Sequence, residues 1–179
     1  MKILIASDIH GDAKRCEEIM ARFEAERADR LFLLGDILYH GPRNDLPPGY
    51  APKRVIEMLN SIAGKIDSVR GNCDAEVDGM VLAFDVLVES KDICINGFTL
   101  KLVHGHHHLD EQSFDGVDAV LYGHTHIPAK ERRGGVWLLN PGSTSIPKEG
   151  SSFSYMTFDG RTFEWKKLPN GEVYDTLII

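Results

Sequence analysis

The chain alternates short, almost wholly apolar runs with stretches in which apolar residues recur every three or four positions. Ile3 to Ser7 and Leu31-Phe32-Leu33-Leu34 are too short for core helices and have no polar face, which predicts strands buried on both sides. Lys65 to Arg70 predicts a third strand. Between these runs, Ile19, Met20 and Phe23 share one face of a helix opening at Gly11-Asp12, and Val55, Ile56, Leu59 and Ile62 make a second, shorter stripe. Strand, helix, strand, helix, strand is the order of a parallel sheet with crossover helices. Tyr39 to Pro52 contains four prolines and no period, which predicts an ordered loop joining two core elements.

The pattern then changes. Val81 to Val88, Asp92 to Ile95, Phe98 to His104, Ala119 to Tyr122, Val136 to Leu139, Ser154 to Phe158 and Thr162 to Lys167 predict strands, with hairpin turns at Asn96-Gly97 and Asp159-Gly160. The 179 residues suit one α/β domain covering the whole chain, residues 1–179.

Composition narrows the function. A net charge of -7 argues against nucleic acid as a dedicated partner, because affinity for a phosphate backbone rests on Lys and Arg. A small phosphorylated substrate remains compatible, since bound divalent cations reverse the local field. Cys16, Cys73 and Cys94 are irregularly spaced with no CxxC, which predicts reduced thiols in a cytoplasmic protein. Asp8 and His10 interrupt the first apolar run too early for a secretory leader, and no run has the length to cross a membrane.

The chemistry lies where the apolar runs end. Asp8-Ile9-His10, Gly35-Asp36, Gly71-Asn72, His104-Gly105-His106 and Gly123-His124-Thr125-His126 each follow such a run. Ligands at strand ends suit a site at the carboxyl edge of a sheet. Asp8, His10, Asp36, Asn72, His104, His124 and His126 combine oxygen and imidazole donors without a thiolate, which suits Mn, Fe or Zn. Seven donors exceed what one transition ion uses. Two ions sharing the Asp36 carboxylate would use them, hold a hydroxide between them at a separation of about 3.5–4 Å, and clamp a phosphate for in-line attack.

The same motifs, in the same order and spanning residue 3 to about residue 160, resemble the calcineurin-like metallophosphoesterases. Ser7-Asp8-Ile9-His10-Gly11, His40-Gly41-Pro42-Arg43-Asn44, Gly71-Asn72-Cys73-Asp74 and Asn140-Pro141-Gly142-Ser143 are similar to its small bacterial YfcE-type phosphodiesterases. The resemblance implies two mixed β-sheets packed as a sandwich flanked by helices. It implies that Asp8, His10 and His126 hold one ion, that Asn72, His104 and His124 hold the other, and that Asp36 bridges. It also implies manganese as the activating metal, with Fe, Zn, Ni or Mg as substitutes. The expected activity is hydrolysis of a small phosphodiester. The alternatives are a phosphomonoesterase on the same centre and a non-catalytic interaction scaffold, the use to which the retromer coat subunit puts this fold; homo-oligomerisation is left open.

One position departs from the family. Many members carry His where this chain has Cys73, and a thiol is a poor replacement as the acid that protonates a leaving group. The acid role would then fall to bound water or to His106, with Asp74 orienting the site. Asp36, Asn72, Cys73, Asp74 and His106 are therefore the candidate catalytic residues. Arg43 and Asn44, in the proline-rich loop, are candidate contacts to the substrate phosphate. His40 is a candidate support for Asp36, Asn140 to Ser143 a turn closing the site from behind, and His107 and His108 are read as solvated. Selectivity is expected from Tyr39 to Pro52 and from His106 to Asp115.

Overall fold

A computed structural model describes residues 1–107, 109 and 114–179. Within it, β1 (Ile3–Ala6), β2 (Arg30–Leu33) and β3 (Ile66–Ser68) run parallel, joined by α1 (Ala13–Ala25) and α2 (Pro52–Asn60). The order of the predicted opening is thus observed. Asp12 caps α1 by accepting the Arg15 N–H at 3.1 Å, and Pro52 occupies the first turn of α2, where its missing N–H costs nothing.

The second half contributes strands to both sheets. The hairpin of β9 (Ser154–Phe158) and β10 (Thr162–Lys167) joins the first sheet through the antiparallel β1–β9 pair, and β11 (Val173–Ile178) forms its edge. This sheet runs β11-β10-β9-β1-β2-β3. The second sheet runs β4-β5-β6-β8-β7, from β4 (Ser90–Ile95), β5 (Phe98–Val103), β6 (Ala119–Leu121), β7 (Ala129–Arg133) and β8 (Val136–Asn140). In it β5, β6 and β8 are mutually parallel. Both sheets are mixed, as expected.

Strand pleating sorts the core into layers. Ile3, Ile5, Phe32 and Leu34 point between the sheets, where they meet Leu100, Leu102, Ala119, Leu121 and Trp165. Their neighbours Leu4, Ala6, Leu31 and Leu33 point outward against Cys16, Ile19 and Phe23 of α1 and Val55 and Leu59 of α2. Burial of both faces explains why these strands read as unbroken apolar runs.

Val81 to Val88 is not a strand. Residues 78–81 form a single helical turn, α3 (Asp78–Val81), and the following segment runs over the core without joining either sheet. Leu82 and Val86 are buried, which produces the strand-like alternation, but the backbone is held by side chains instead of a ladder. Asn60 donates to the Val81 carbonyl at 2.8 Å and accepts the Ala83 N–H at 2.8 Å.

Candidate metal centre

The parallel strands of both sheets end on one edge of the sandwich, and the candidate ligands lie just beyond those ends. β1 leads to Asp8 and His10, β2 to Asp36, β3 to Asn72, β5 to His104 and β6 to His124 and His126. The backbone turns sharply as it delivers them. Of the eight described non-glycine residues with positive φ, five are Asp8 (57°), His10 (50°), Asp36 (55°), His124 (65°) and His126 (62°). Left-handed backbone costs an L-residue about 1–2 kcal/mol. At five ligand positions it must be offset by local bonds.

Those bonds come from the Asn140 to Ser143 turn and from Thr144 and Ser145, which the sequence did not single out. The Ser7 carbonyl accepts from the N–H and hydroxyl of Thr144, at 3.0 and 2.9 Å, and the Asp8 carbonyl accepts from Ser143 and Ser145, at 3.0 and 2.9 Å. Asn140 donates to the Gly123 carbonyl at 2.8 Å and so fastens the turn that carries His124. The Asn140 to Ser143 turn does close the site from behind. Gly123 and Gly71 are demanded by contact: a methyl group at Gly123 would collide with Ser7, and one at Gly71 with the Asp36 carboxylate.

Three imidazoles are oriented alike. His10 Nδ1 lies 2.7 Å from the Tyr39 carbonyl, His104 Nδ1 2.6 Å from that of Leu34, and His126 Nδ1 2.6 Å from that of Ile146. A carbonyl only accepts, so each Nδ1 carries a proton and each neutral ring turns its Nε2 lone pair inward. There the lone pairs meet further acceptors. His10 Nε2 and His126 Nε2 are 3.3 Å apart, and Asp8 Oδ1 lies 3.6 and 3.2 Å from them. His104 Nε2 is 3.1 Å from Asn72 Oδ1 and 3.4 Å from Asp36 Oδ2. Asp36 Oδ2 is also 3.7 Å from His10 Nε2, so one carboxylate oxygen stands between the two groups.

Acceptors facing acceptors need positive charge between them. Asp8 Oδ2 takes the Ser7 hydroxyl at 2.6 Å and the His124 N–H at 3.1 Å, whereas Asp8 Oδ1, fully buried, has no hydrogen-bond donor. An unsatisfied buried carboxylate oxygen is costly, and a cation removes that cost. Donor atoms of Asp8, His10 and His126, and of Asp36, His104 and His124, gather within 4.8 Å in each set. The residues therefore fit divalent metal ions. The Cys73 sulfur forms a similar group with His10 and Asp36, a proximity that the ligand pattern had not indicated.

Residues 1–162 match the family model of the calcineurin-like phosphoesterase superfamily domain. The chain belongs to this superfamily. It is 45% identical over 161 residues to the phosphodiesterase YfcE of Escherichia coli strain K12, covering 89% of this chain and 88% of that protein. It is 28% identical over 167 residues to a probable metallophosphoesterase, YsnB, of Bacillus subtilis strain 168, covering 87% and 82%. The solved structure of E. coli YfcE, a phosphoesterase, superposes over 100% of both chains with a TM-score of 0.91 and 40% identity. The fold is the metallophosphoesterase fold, the 45% identity over most of the chain makes it a phosphoesterase, and the family implies divalent metal ions.

Protonation in the metal-free phosphoesterase follows the same geometry. Burial opposes charge on Asp8, yet the imidazoles of His10, His126 and His104 close around it outweigh burial and hold the carboxyl far below the usual range. Burial also opposes a proton on His104, but Asp36 and Asp8 push that ring up to about 9, and Asp8 raises His10 in the same sense. Burial and the neighbouring His104 lower His124.

The centre opens into a cleft of about 1190 Å³. Arg43, Asn44, Asn72, Cys73 and His124 line it, together with Arg70 and Lys148, which the sequence reading did not single out. Burial and the Asp36 charge push the Cys73 thiol up to about 12. Asp74 reaches the site through the backbone, with both carboxylate oxygens used in bonds to N–H groups. His106 does not line this cleft. Its ring lies 5.4 Å from His104 and 6.2 Å from His124, and it faces a separate small cavity with Glu89 and His107. His40 sits between the Tyr39 and Tyr50 rings, 4.7 and 5.3 Å from them, and its Nδ1 has no partner, so no bond joins it to Asp36. His107 is exposed, while His108 and residues 110–113 of the expected selectivity segment lie outside the described residues.

Proposed function

We propose that this chain is a metal-dependent phosphodiesterase acting on small phosphodiesters at a centre of two divalent ions, with manganese the preferred metal. Asp8, His10 and His126 would hold one ion, Asn72, His104 and His124 the other, and Asp36 would bridge. The observation that carries this reading is Asp36 Oδ2, at 3.7 Å from His10 Nε2 and 3.4 Å from His104 Nε2, with each imidazole belonging to a different donor group. When bound, such ions neutralise the phosphate and lower the pKa of an attacking water.

The chain's own residues do the rest. Tyr39, Leu34 and Ile146 carbonyls fix the imidazole tautomers, and the Cys73 N–H holds Asp36 Oδ1 at 2.8 Å, leaving Oδ2 for the metals. Arg43 stands exposed at the cleft wall, and Asn44 is braced within the loop by donating to the His40 carbonyl at 2.7 Å. Both are positioned to receive the phosphate and its ester group. Lys148, following the His126 turn, adds a cation on the cleft. A phosphodiester carries one negative charge, which suits a cleft with dispersed cations better than a tight dianion pocket.

The three free cysteines suit a reducing compartment, and we place the enzyme in the cytoplasm. Among the described residues, no helix is long and apolar enough to cross a membrane.

The test is a manganese-supplemented comparison of aryl phosphodiester, aryl phosphomonoester and cyclic nucleotide hydrolysis. Preference for the monoester would replace the first reading with the phosphomonoesterase. A manganese-refilled protein inactive on every ester would favour the scaffold. Asp36→Asn and His124→Ala should each abolish turnover while the circular dichroism of the fold is kept; wild-type rates in either would refute the two-ion assignment.

A further inference from the structure

We propose that Glu89, His106 and His107 form a third metal site, for an imidazole-preferring transition ion such as zinc, beside the main centre. The antiparallel pairing of Ser90 with Val103 brings the residue preceding β4 alongside the residues that follow β5. Donor atoms of Glu89, His106 and His107 consequently gather within 4.8 Å of one another. The two rings lie 3.9 Å apart between centroids, at 43°. They face a cavity of about 140 Å³ walled by Val103, Phe114 and Val120.

Two imidazoles and one carboxylate are a zinc ligand set that leaves a fourth position open. Magnesium and calcium prefer all-oxygen surroundings, so they suit this site poorly. His106 Nδ1 is buried and has no hydrogen-bond partner among the described residues. Glu89 pairs with Arg70 at 3.4 Å, but both side chains are exposed and such pairs contribute little, so an ion can displace the guanidinium. None of the three residues belongs to the seven proposed ligands of the main centre, and none of them lines the main cleft, although His104 shares a wall with the small cavity. The site gives a role to His106, which does not line the main cleft, and to the neighbouring His107.

The experiment counts metal. Manganese-loaded full chain is equilibrated with excess Zn²⁺, desalted and measured by mass spectrometry for total metal per chain, for wild type, Glu89→Gln and His107→Ala. Each variant should retain one ion fewer than wild type, with unchanged melting temperature and unchanged manganese-supported hydrolysis of an aryl phosphodiester. With Co²⁺ in place of zinc, the wild type should show an additional visible absorption band that both variants lack. Equal metal content in all three proteins overturns the proposal. The quantity read is a difference, so an error in the two-ion reading would alter the totals and leave this test intact.

Discussion

Asp74 holds Asp36 through the backbone: its Oδ2 accepts the Asp36 N–H at 2.8 Å and the Gly71 N–H at 2.7 Å, while its Oδ1 accepts the Ile37 N–H at 2.8 Å. One buried carboxylate thereby ties the turn after β2 to the turn after β3. Asp74 is thus a positioning residue. It fixes the φ of +55° at which Asp36 presents its oxygens.

Removal of Asp74 should therefore loosen the bridge without unfolding the sheet. Charged hydrogen bonds to a carboxylate are each worth about 1.5–3 kcal/mol, and the Asp74→Ala change forfeits three. We expect kcat on an aryl phosphodiester at saturating manganese to fall at least tenfold, metal affinity to fall, and KM to change little. Asp74→Asn, which keeps one acceptor oxygen, should retain an intermediate rate. Wild-type kcat in Asp74→Ala would show that Asp36 needs no such support.

Protons and metal ions should compete for the same lone pairs. In the metal-free protein His104 is pushed up to about 9 and His10 is also raised. A folded-state pKa above the unfolded value near 6.5 means that His104 stabilises the metal-free fold fully below that pH and loses the contribution as pH rises through about 9, with His10 acting in the same sense. Metal needs the neutral rings, so metal affinity should run the opposite way and climb from pH 6.5 to 9. Calorimetric titration of the metal-free protein with Mn²⁺ in buffers of different ionisation heat should register proton release on binding. A binding constant independent of pH in this window would contradict the assignment of His104 as a ligand.

The sequence pointed to the candidate metal-binding side chains because the surrounding physics is local: each follows an apolar run, and strand ends converge on one edge. It revealed the buried strands for the same reason. It did not reveal β7, Ala129–Arg133, whose residues are mostly charged and exposed, or β11, whose sequence does not alternate apolar with polar residues although its burial does from Tyr174 to Ile178. Val81 to Val88 misled in the other direction, since Leu82 and Val86 are buried without a ladder. The carbonyls of Leu34, Tyr39 and Ile146 that orient the histidines were invisible, because any residue type can offer a carbonyl. His106 illustrates a different gap: spacing placed it two residues from a ligand, but only the fold decides which cavity it faces.

Cys73 sets a limit on the substrates that are hydrolysed well. Where many family members carry His this chain offers a thiol, and beside bound cations a thiol would favour its thiolate and have no proton to give near neutral pH. Esters with good leaving groups need no such proton. Cys73→His would introduce an acid at the cleft wall, where general acid catalysis is worth about 10²–10⁴-fold. We expect the rate on an alkyl ester, relative to that on an aryl ester, to rise at least tenfold. An unchanged ratio would show that the proton comes from elsewhere.

Far from the centre, Glu26 should govern acid stability. It caps the end of α1, and its side chain is only 7% exposed. Three cations surround it: Lys2 at 2.6 Å from β1's leading edge, Lys166 at 2.9 Å from β10, and Arg22 at 3.2 Å, with the Tyr155 hydroxyl donating at 3.0 Å. Burial opposes its charge, but these donors outweigh burial and bring the carboxyl down to about 2. The folded-state value lies below the unfolded 4.5, so the contribution is present above pH 4.5 and is lost as pH falls through about 2. Allowing for solvent screening at Lys2 and Arg22, it amounts to about 1–2 kcal/mol. Glu26→Gln should lower the melting temperature at pH 7 by about 2–8 °C, and the gap to wild type should close as pH drops from 5 toward 2, because protonated Glu26 and glutamine are then nearly equivalent. Melting curves across that range decide the matter: a gap of constant size would mean that Glu26 acts through packing and not through its charge.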